Sequence, residues 1–368
     1  MRRIRVLIVD DAVVVRRLLS DILSGDAELE VVGTAASGTI ALQKLPQLTP
    51  DVVTLDVEMP GLTGIETVRE IRKQYPTLPV IMFSTLTERG AGATIDALSA
   101  GATDYVTKPA NVGSVAAGMQ AVREAIIPKI KSLCARTCGI DLGARAPSPV
   151  RLTVPARALQ QAVAPVDVLA IGTSTGGPNA LGVLLPSMPA DLPVPILIVQ
   201  HMPPVFTKLL AERLASRCPF PISEARHGDV LVPGRVWIAP GDHHMVVKRS
   251  GTSVRIELNQ EPPENSCRPA VDPLFRSVAQ VYAERTLAVV LTGMGYDGRR
   301  GAEAVRDAGG RVLVQDQATS VVWGMPGAVA EAGIAEALLP LEQIAPELTR
   351  RLRAQRRTAA VTPQARLA

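Results

Sequence analysis

At 368 residues, 47% apolar and 20% charged, the chain has the length for two ordinary domains and the composition of a soluble globular protein, which excludes a disordered, collagen-like or coiled-coil molecule. Its net charge of +4 does not mark a nucleic-acid binder, because the excess is local: residues 128–165 carry six Lys+Arg against one acid, and residues 349–368 six against none. The four cysteines form no Cys-x-x-Cys pair and read as free, reduced thiols, and no apolar run approaches the roughly 18 residues of a membrane span, so a cytoplasmic protein is expected.

The N-terminal apolar run meets Asp10 and Asp11 before the core of a signal peptide can form, and it reads instead as a first strand, Arg5 to Val9. Further β-branched runs at Val31 to Ala35, Val52 to Leu55, Val80 to Phe83 and Asp104 to Val106 alternate with amphipathic stretches such as Val14 to Ser24 and Gly64 to Gln74. Five strands alternating with helices over residues 1–127 predict a parallel sheet in a doubly wound, flavodoxin-like α/β domain.

In such sheets ligands bind beyond the carboxyl ends of the strands. Here those ends carry Asp10 and Asp11, then Asp56, Ser84 and Lys108. Carboxylates gathered at one rim repel one another unless a cation intervenes, and a cavity of hard oxygen ligands suits Mg²⁺, so Asp10, Asp11 and Asp56 are the candidate metal ligands. Asp56 is the candidate phosphoryl acceptor, Lys108 would neutralise the equatorial oxygens, and Ser84 would bond the new phosphate and draw its loop inward. Taken singly, each of these residues is as readily a turn, a cap or a solvated charge. Together, at Asp10, Asp11, Asp56, Ser84 and Lys108-Pro109, they resemble the receiver domain of response regulators over residues 4–125. The run Asp56-Val57-Glu58-Met59-Pro60-Gly61 is most similar to the methylesterase branch of that family, and Thr63 departs from it, since an acidic residue commonly precedes that loop's Gly.

From Pro128 to about Pro165 the pattern breaks into Pro, Arg and Ala without a period, which predicts a linker over residues 128–165 with a short helix at Pro155 to Ala164. A second αβ alternation follows, with strands at Asp167 to Ile171, Pro195 to Gln200, Val236 to Ala239, Leu287 to Leu291 and Arg311 to Gln315. It predicts a second doubly wound α/β domain over residues 166–350 and a basic, disordered tail over 351–368.

Within this half, Gly172-Thr173-Ser174-Thr175-Gly176 follows a strand and runs into a helix, a turn that exposes a serine hydroxyl beside free backbone N–H groups. An anion cradle is the rival reading, although no Gly-x-Gly-x-x-Gly spacing or P-loop Lys is present. A nucleophilic serine requires a base. Of the four histidines, His201 ends a strand at the same rim, whereas His227 sits in a polar loop and His243 and His244 close a turn. Asp297, after another core strand, would orient the imidazole, or would otherwise be a helix cap.

The order Ser, His, Asp is not that of an α/β-hydrolase. Together with Gln200-His201-Met202-Pro203, Ile238 to Asp242, Arg268 to Asp272 and Leu291 to Gly298, it resembles the catalytic domain of chemotaxis protein-glutamate methylesterases. That resemblance implies Ser174 as nucleophile, His201 as base and then acid, Asp297 as orienter, and the N–H groups of Thr175 and Met294 as the oxyanion hole. It also implies esterase chemistry without a cofactor, chemoreceptor glutamyl esters and glutamines as substrates, and a chemotaxis histidine kinase as phosphodonor. The protein would then work at membrane-bound receptor arrays without being membrane-embedded, contact no nucleic acid, and be hindered by its receiver domain until Asp56 is phosphorylated.

Overall fold

The computed structural model describes residues 2–109, 115–138 and 165–359. It divides into two compact units, Met1–Arg145 and Ala146–Ala368.

In the first unit the strands are β1 (Ile4–Val9), β2 (Leu29–Ala35), β3 (Val52–Asp56), β4 (Val80–Ser84) and β5 (Asp104–Thr107). The helices are α1 (Val13–Ser24), α2 (Gly38–Leu48), α3 (Gly64–Gln74), α4 (Glu88–Ser99) and α5 (Val115–Cys138). All strands are parallel and lie in the order β2-β1-β3-β4-β5. β3 and β4 are buried along their whole length, because helices cover both faces of a doubly wound sheet, and this is why they read as unbroken apolar runs rather than alternating ones. The strand order reverses between β1 and β3, which places Asp10 and Asp11 beside Asp56.

The second unit contains β6 (Val168–Thr173), α6 (Gly177–Leu184), β7 (Ile196–Gln200), α7 (Phe206–Ala215), β8 (Ile222–Glu224) and β9 (Val236–Ile238). A hairpin follows, β10 (His244–Ser250) with β11 (Ser253–Asn259), then α8 (Val271–Tyr282), β12 (Thr286–Val290), α9 (Arg299–Asp307), β13 (Arg311–Gln315), α10 (Met325–Glu331), β14 (Ala337–Leu339) and α11 (Leu341–Ala359). Seven parallel strands lie in the order β14-β13-β12-β6-β7-β9-β8, and β10 pairs with β11 antiparallel as a separate sheet. β6 is central: the chain first builds outward through β7 and then returns to add β12 on the other side, so the switch point is at the carboxyl end of β6.

The hairpin, β8 and β14 are not foreseen in the sequence. β8 and β14 have three residues each, which gives little periodic signal, whereas β11 does carry a strict alternation at Val254, Ile256 and Leu258 that marks a strand with one apolar face. The linker boundary also moves. α5 runs through Pro128 to Cys138, because Ile126, Ile130, Leu133 and Cys134 form a buried face whose packing outweighs one missing backbone donor. Lys129 and Lys131, which contribute to the local basic excess, are in ion pairs with Asp104 and with Asp26 and Glu28. The chain beyond Arg350 is likewise helical up to Ala359: Leu352 is buried, and Arg351 is held between Glu336 and Glu347 at 2.8 and 2.7 Å. The stretch Pro155 to Ala164, read as a short helix, lies outside the described residues.

Ile130 tests whether the helix past Pro128 belongs to the first unit. Ile130→Ala should lower the unfolding free energy of that unit by about 2–5 kcal/mol in urea titration, since a fully buried side chain leaves a cavity. A linker position would give a change within about 0.5 kcal/mol.

Candidate functional sites

In the first unit, Asp10 and Asp11 leave β1 while Asp56 ends β3. One carboxylate oxygen from each lies within 4.8 Å of the others. Gly64 allows this rim to close, because a Cβ there would come 2.2 Å from the Asp56 carbonyl oxygen. Thr63, the departure from the receiver pattern, caps α3 through a reciprocal pair with Glu66, which gives the position a structural reason.

Lys108 follows β5 and reaches back across the sheet to stand 3.0 Å from Asp10 and 2.9 Å from Asp56. Burial pushes the Asp56 carboxyl above its ordinary range and Lys108 only partly offsets this. Burial also opposes the charge on Lys108, but Asp56 and Asp10 hold its ammonium above the usual lysine range. One ammonium does not balance three carboxylates, so the set fits a divalent cation with oxygen ligands. Asp11, Asp56, Glu58, Ser84, Thr85 and Lys108 line a cavity of about 210 Å³, roomy enough for a phosphoryl group. The Ser84 hydroxyl is buried, 2.6 Å from the Thr94 hydroxyl and 3.1 Å from the Gly90 carbonyl oxygen, so it is tied to the start of α4.

In the second unit the register of the central strands brings the next set together. Thr173 of β6 pairs with Gln200 of β7, so Ser174 and His201 leave the sheet side by side, joined by the His201 N–H to the Thr173 carbonyl at 3.2 Å. Gly176 turns the chain into α6 with φ +79, in the left-handed region where a side chain is strained. Behind Ser174 passes Gly293, where a Cβ would lie 2.9 Å from that of Ser174. Beyond it, the Met294 N–H has no hydrogen-bond acceptor among the described residues.

Asp297 is 2% exposed and stands 2.7 Å from Nε2 of His201. Its two oxygens also accept from the backbone N–H of Val271, Asp272 and Gly298, and from the Asn265 amide at 2.8 Å. Burial acts to raise this carboxyl, but His201, the Val271 N–H and Asn265 hold it below the ordinary range. Burial likewise opposes the His201 charge, yet Asp297 and the Cys267 thiol bring its pKa up to about 9. Because a carboxylate faces Nε2, the ring proton belongs there and the basic lone pair is on Nδ1, the reverse of the familiar serine-protease arrangement.

Of the other histidines, His244 is buried and bonded to the Pro262 carbonyl and the Ala270 N–H, and His227 accepts the Leu258 N–H. Both have structural work. His243 lies 3.3 Å from the Gly241 carbonyl oxygen. The sequence reading assigns no role to Asn265, Cys267 or Asp272. Asn265 donates to both Asp297 and Asp272, a second carboxylate that burial holds above the ordinary range, and Cys267 lies 3.5 Å from Nδ1 of His201. Asp272 is visible in sequence only as part of a matching run, and nothing local distinguishes the other two.

Two family models match the chain: CheB methylesterase over residues 169–348, and response regulator receiver domain over residues 6–119. A protein-glutamate methylesterase/protein-glutamine glutaminase of Trichodesmium erythraeum is 54% identical over 96% of this chain and 100% of its own length. One from a Nocardioides species is 56% identical over 97% of each. Among solved structures, the catalytic domain of the Thermotoga maritima CheB methylesterase matches with TM-score 0.50 at 43% identity, covering 51% of this chain and 99% of that one.

The ring environment gives a direct test. The C–H resonances of His201 should titrate near pH 9, well above a free imidazole, and in Asp297→Asn the midpoint should fall below that of the wild type. An unmoved midpoint would mean that Asp297 does not hold the imidazole.

Proposed function

The chain belongs to the protein-glutamate methylesterase/protein-glutamine glutaminase family, and from that premise we propose that it hydrolyses glutamyl methyl esters on chemoreceptors, deamidates receptor glutamines, and is switched on by phosphorylation of Asp56. What supports the esterase reading is that Ser174 and His201 leave neighbouring strands side by side while His201 stands 2.7 Å from the buried Asp297.

In this reading the Ser174 hydroxyl attacks the ester carbonyl while Nδ1 of His201 takes its proton. Asp297 stabilises the imidazolium through Nε2–H, and the N–H groups of Thr175 and Met294 receive the oxyanion. Collapse of the tetrahedral intermediate breaks the C–O bond, His201 returns the proton, and methanol leaves. Water, deprotonated by the same nitrogen, then attacks the acyl-enzyme and frees the glutamate and Ser174. A glutamine side chain follows the same course and releases ammonia.

In the receiver domain the Asp56 carboxylate attacks a phosphoryl group supplied by a histidine kinase. Asp10, Asp11 and Asp56 would hold Mg²⁺, which supplies positive charge opposite the phosphoryl oxygens when bound. Lys108 neutralises a further oxygen, and the Ser84 hydroxyl exchanges its contact at the start of α4 for the phosphate, which is the switch. The protein would do this in the cytoplasm, at receptor arrays; among the described residues no helix is long and apolar enough to cross a membrane.

Methanol release from methylated chemoreceptor membranes tests the reading. Ser174→Ala should lose at least about a thousandfold in rate with or without a small-molecule phosphodonor. Asp56→Asn should keep the basal rate and lose the response to phosphodonor and Mg²⁺. Full activity in Ser174→Ala would remove the triad assignment, and absence of methanol from every variant would move the substrate away from chemoreceptors.

A further inference from the structure

We infer that Cys267 competes with Ser174 for the base: its thiol occupies the one ring nitrogen of His201 on which Ser174 depends. The inference rests on the esterase reading above.

The geometry leaves His201 little choice. Asp297 lies 2.7 Å from Nε2, which fixes an N–H there and leaves a single lone pair, on Nδ1. Cys267 Sγ stands 3.5 Å from that atom, within the reach of a sulfur hydrogen bond. A ring nitrogen engaged by the sulfur does not accept from a serine hydroxyl at the same time. Consistent with this, the Ser174 hydroxyl makes no hydrogen bond among the described residues.

The thiol is presented by a braced loop. Glu264 and Cys267 exchange backbone bonds at 3.1 and 2.9 Å, Asn265 donates to Asp297 and Asp272, and Arg268 is paired with Asp242. The loop therefore grips both ends of the dyad, Asp297 through Asn265 and Nδ1 through Cys267. The other two cysteines with described side chains have different surroundings: Cys134 is buried against the Asp51 carbonyl, and burial pushes the Cys218 thiol up to about 11.

While the sulfur holds Nδ1, that nitrogen has no lone pair to offer Ser174. Cys267 is thus a positioning residue that lowers the fraction of enzyme holding a free base. The titratable groups around His201 are Asp297 at Nε2 and Cys267 at Nδ1, with Asp272 and Glu264 behind Asp297 and Arg276 paired to Glu264. Of these, only Cys267 touches the basic nitrogen.

The test uses the full chain in two measurements. In the pH–rate profile of ester hydrolysis, Cys267→Ala should move the ascending limb down by about one pH unit, roughly a tenfold gain in rate below the limb. Cys267→Ser, whose hydroxyl can also bond Nδ1, should fall between the two. In the second measurement, iodoacetamide should label Cys267 before Cys218 and inactivate the wild type, and labelling of Cys267 should slow severalfold in His201→Gln. This comparison needs no activity and holds even if Cys267→Ala folds poorly. A limb in the same place for Cys267→Ala and wild type, or equal labelling in His201→Gln, overturns the inference. Ser174→Ala assayed alongside separates the two levels, because full activity there would fault the triad and not Cys267.

Discussion

Both units face the same electrostatic constraint: carboxylates buried at the carboxyl edge of a parallel sheet must be neutralised or hydrogen-bonded, or they will take up protons. The two units meet it differently. In the first, Asp10 and Asp56 share a single ammonium from Lys108 with exposed Asp11 beside them, and the acidic excess remains at the rim. That excess fits a divalent cation with oxygen ligands. In the second, Asp297 is surrounded by neutral N–H donors from Val271, Asp272, Gly298 and Asn265, so its charge is spent on the one ionisable partner left to it, His201.

The donors around Asp297 explain the unusual hand of the dyad. Its oxygens are fixed by the amino-terminal ends of two helices, α8 through Val271 and Asp272 and α9 through Gly298, where N–H groups and helix dipoles favour a negative charge. The carboxylate is therefore placed by helix packing, and the imidazole adapts to it by presenting Nε2. The nitrogen left free of the carboxylate is then Nδ1, and the loop bearing Cys267 adjoins it.

Resemblance and geometry contribute different things to the functional reading. Relatives matched over nearly their full length supply the reaction and the substrate class, which no arrangement of these side chains specifies alone, since a serine, a histidine and an aspartate serve many acyl transfers. The geometry adds what a name does not contain: which ring nitrogen faces the carboxylate, what holds that carboxylate, and which residues stand close to the imidazole.

Much was legible in the sequence because the chemistry sits at strand ends, and strands buried on both faces announce themselves as short apolar runs. The ten strands read this way, and Asp10, Asp11, Asp56, Ser84, Lys108, Ser174 and His201 at their ends, follow from local pattern and from the rule that parallel sheets carry their sites at the carboxyl edge. Tertiary structure decided the rest. That α5 continues past Pro128 and α11 past Arg350 depends on burial against other elements, which outweighs the local signals of proline and charge. That Asn265 and Cys267 reach Asp297 and His201 depends on a loop folded 32 and 66 residues away in sequence from its partners. Periodicity records only which face of a strand or helix is buried; the partner of a loop side chain is set by packing between distant segments, and no local pattern encodes it.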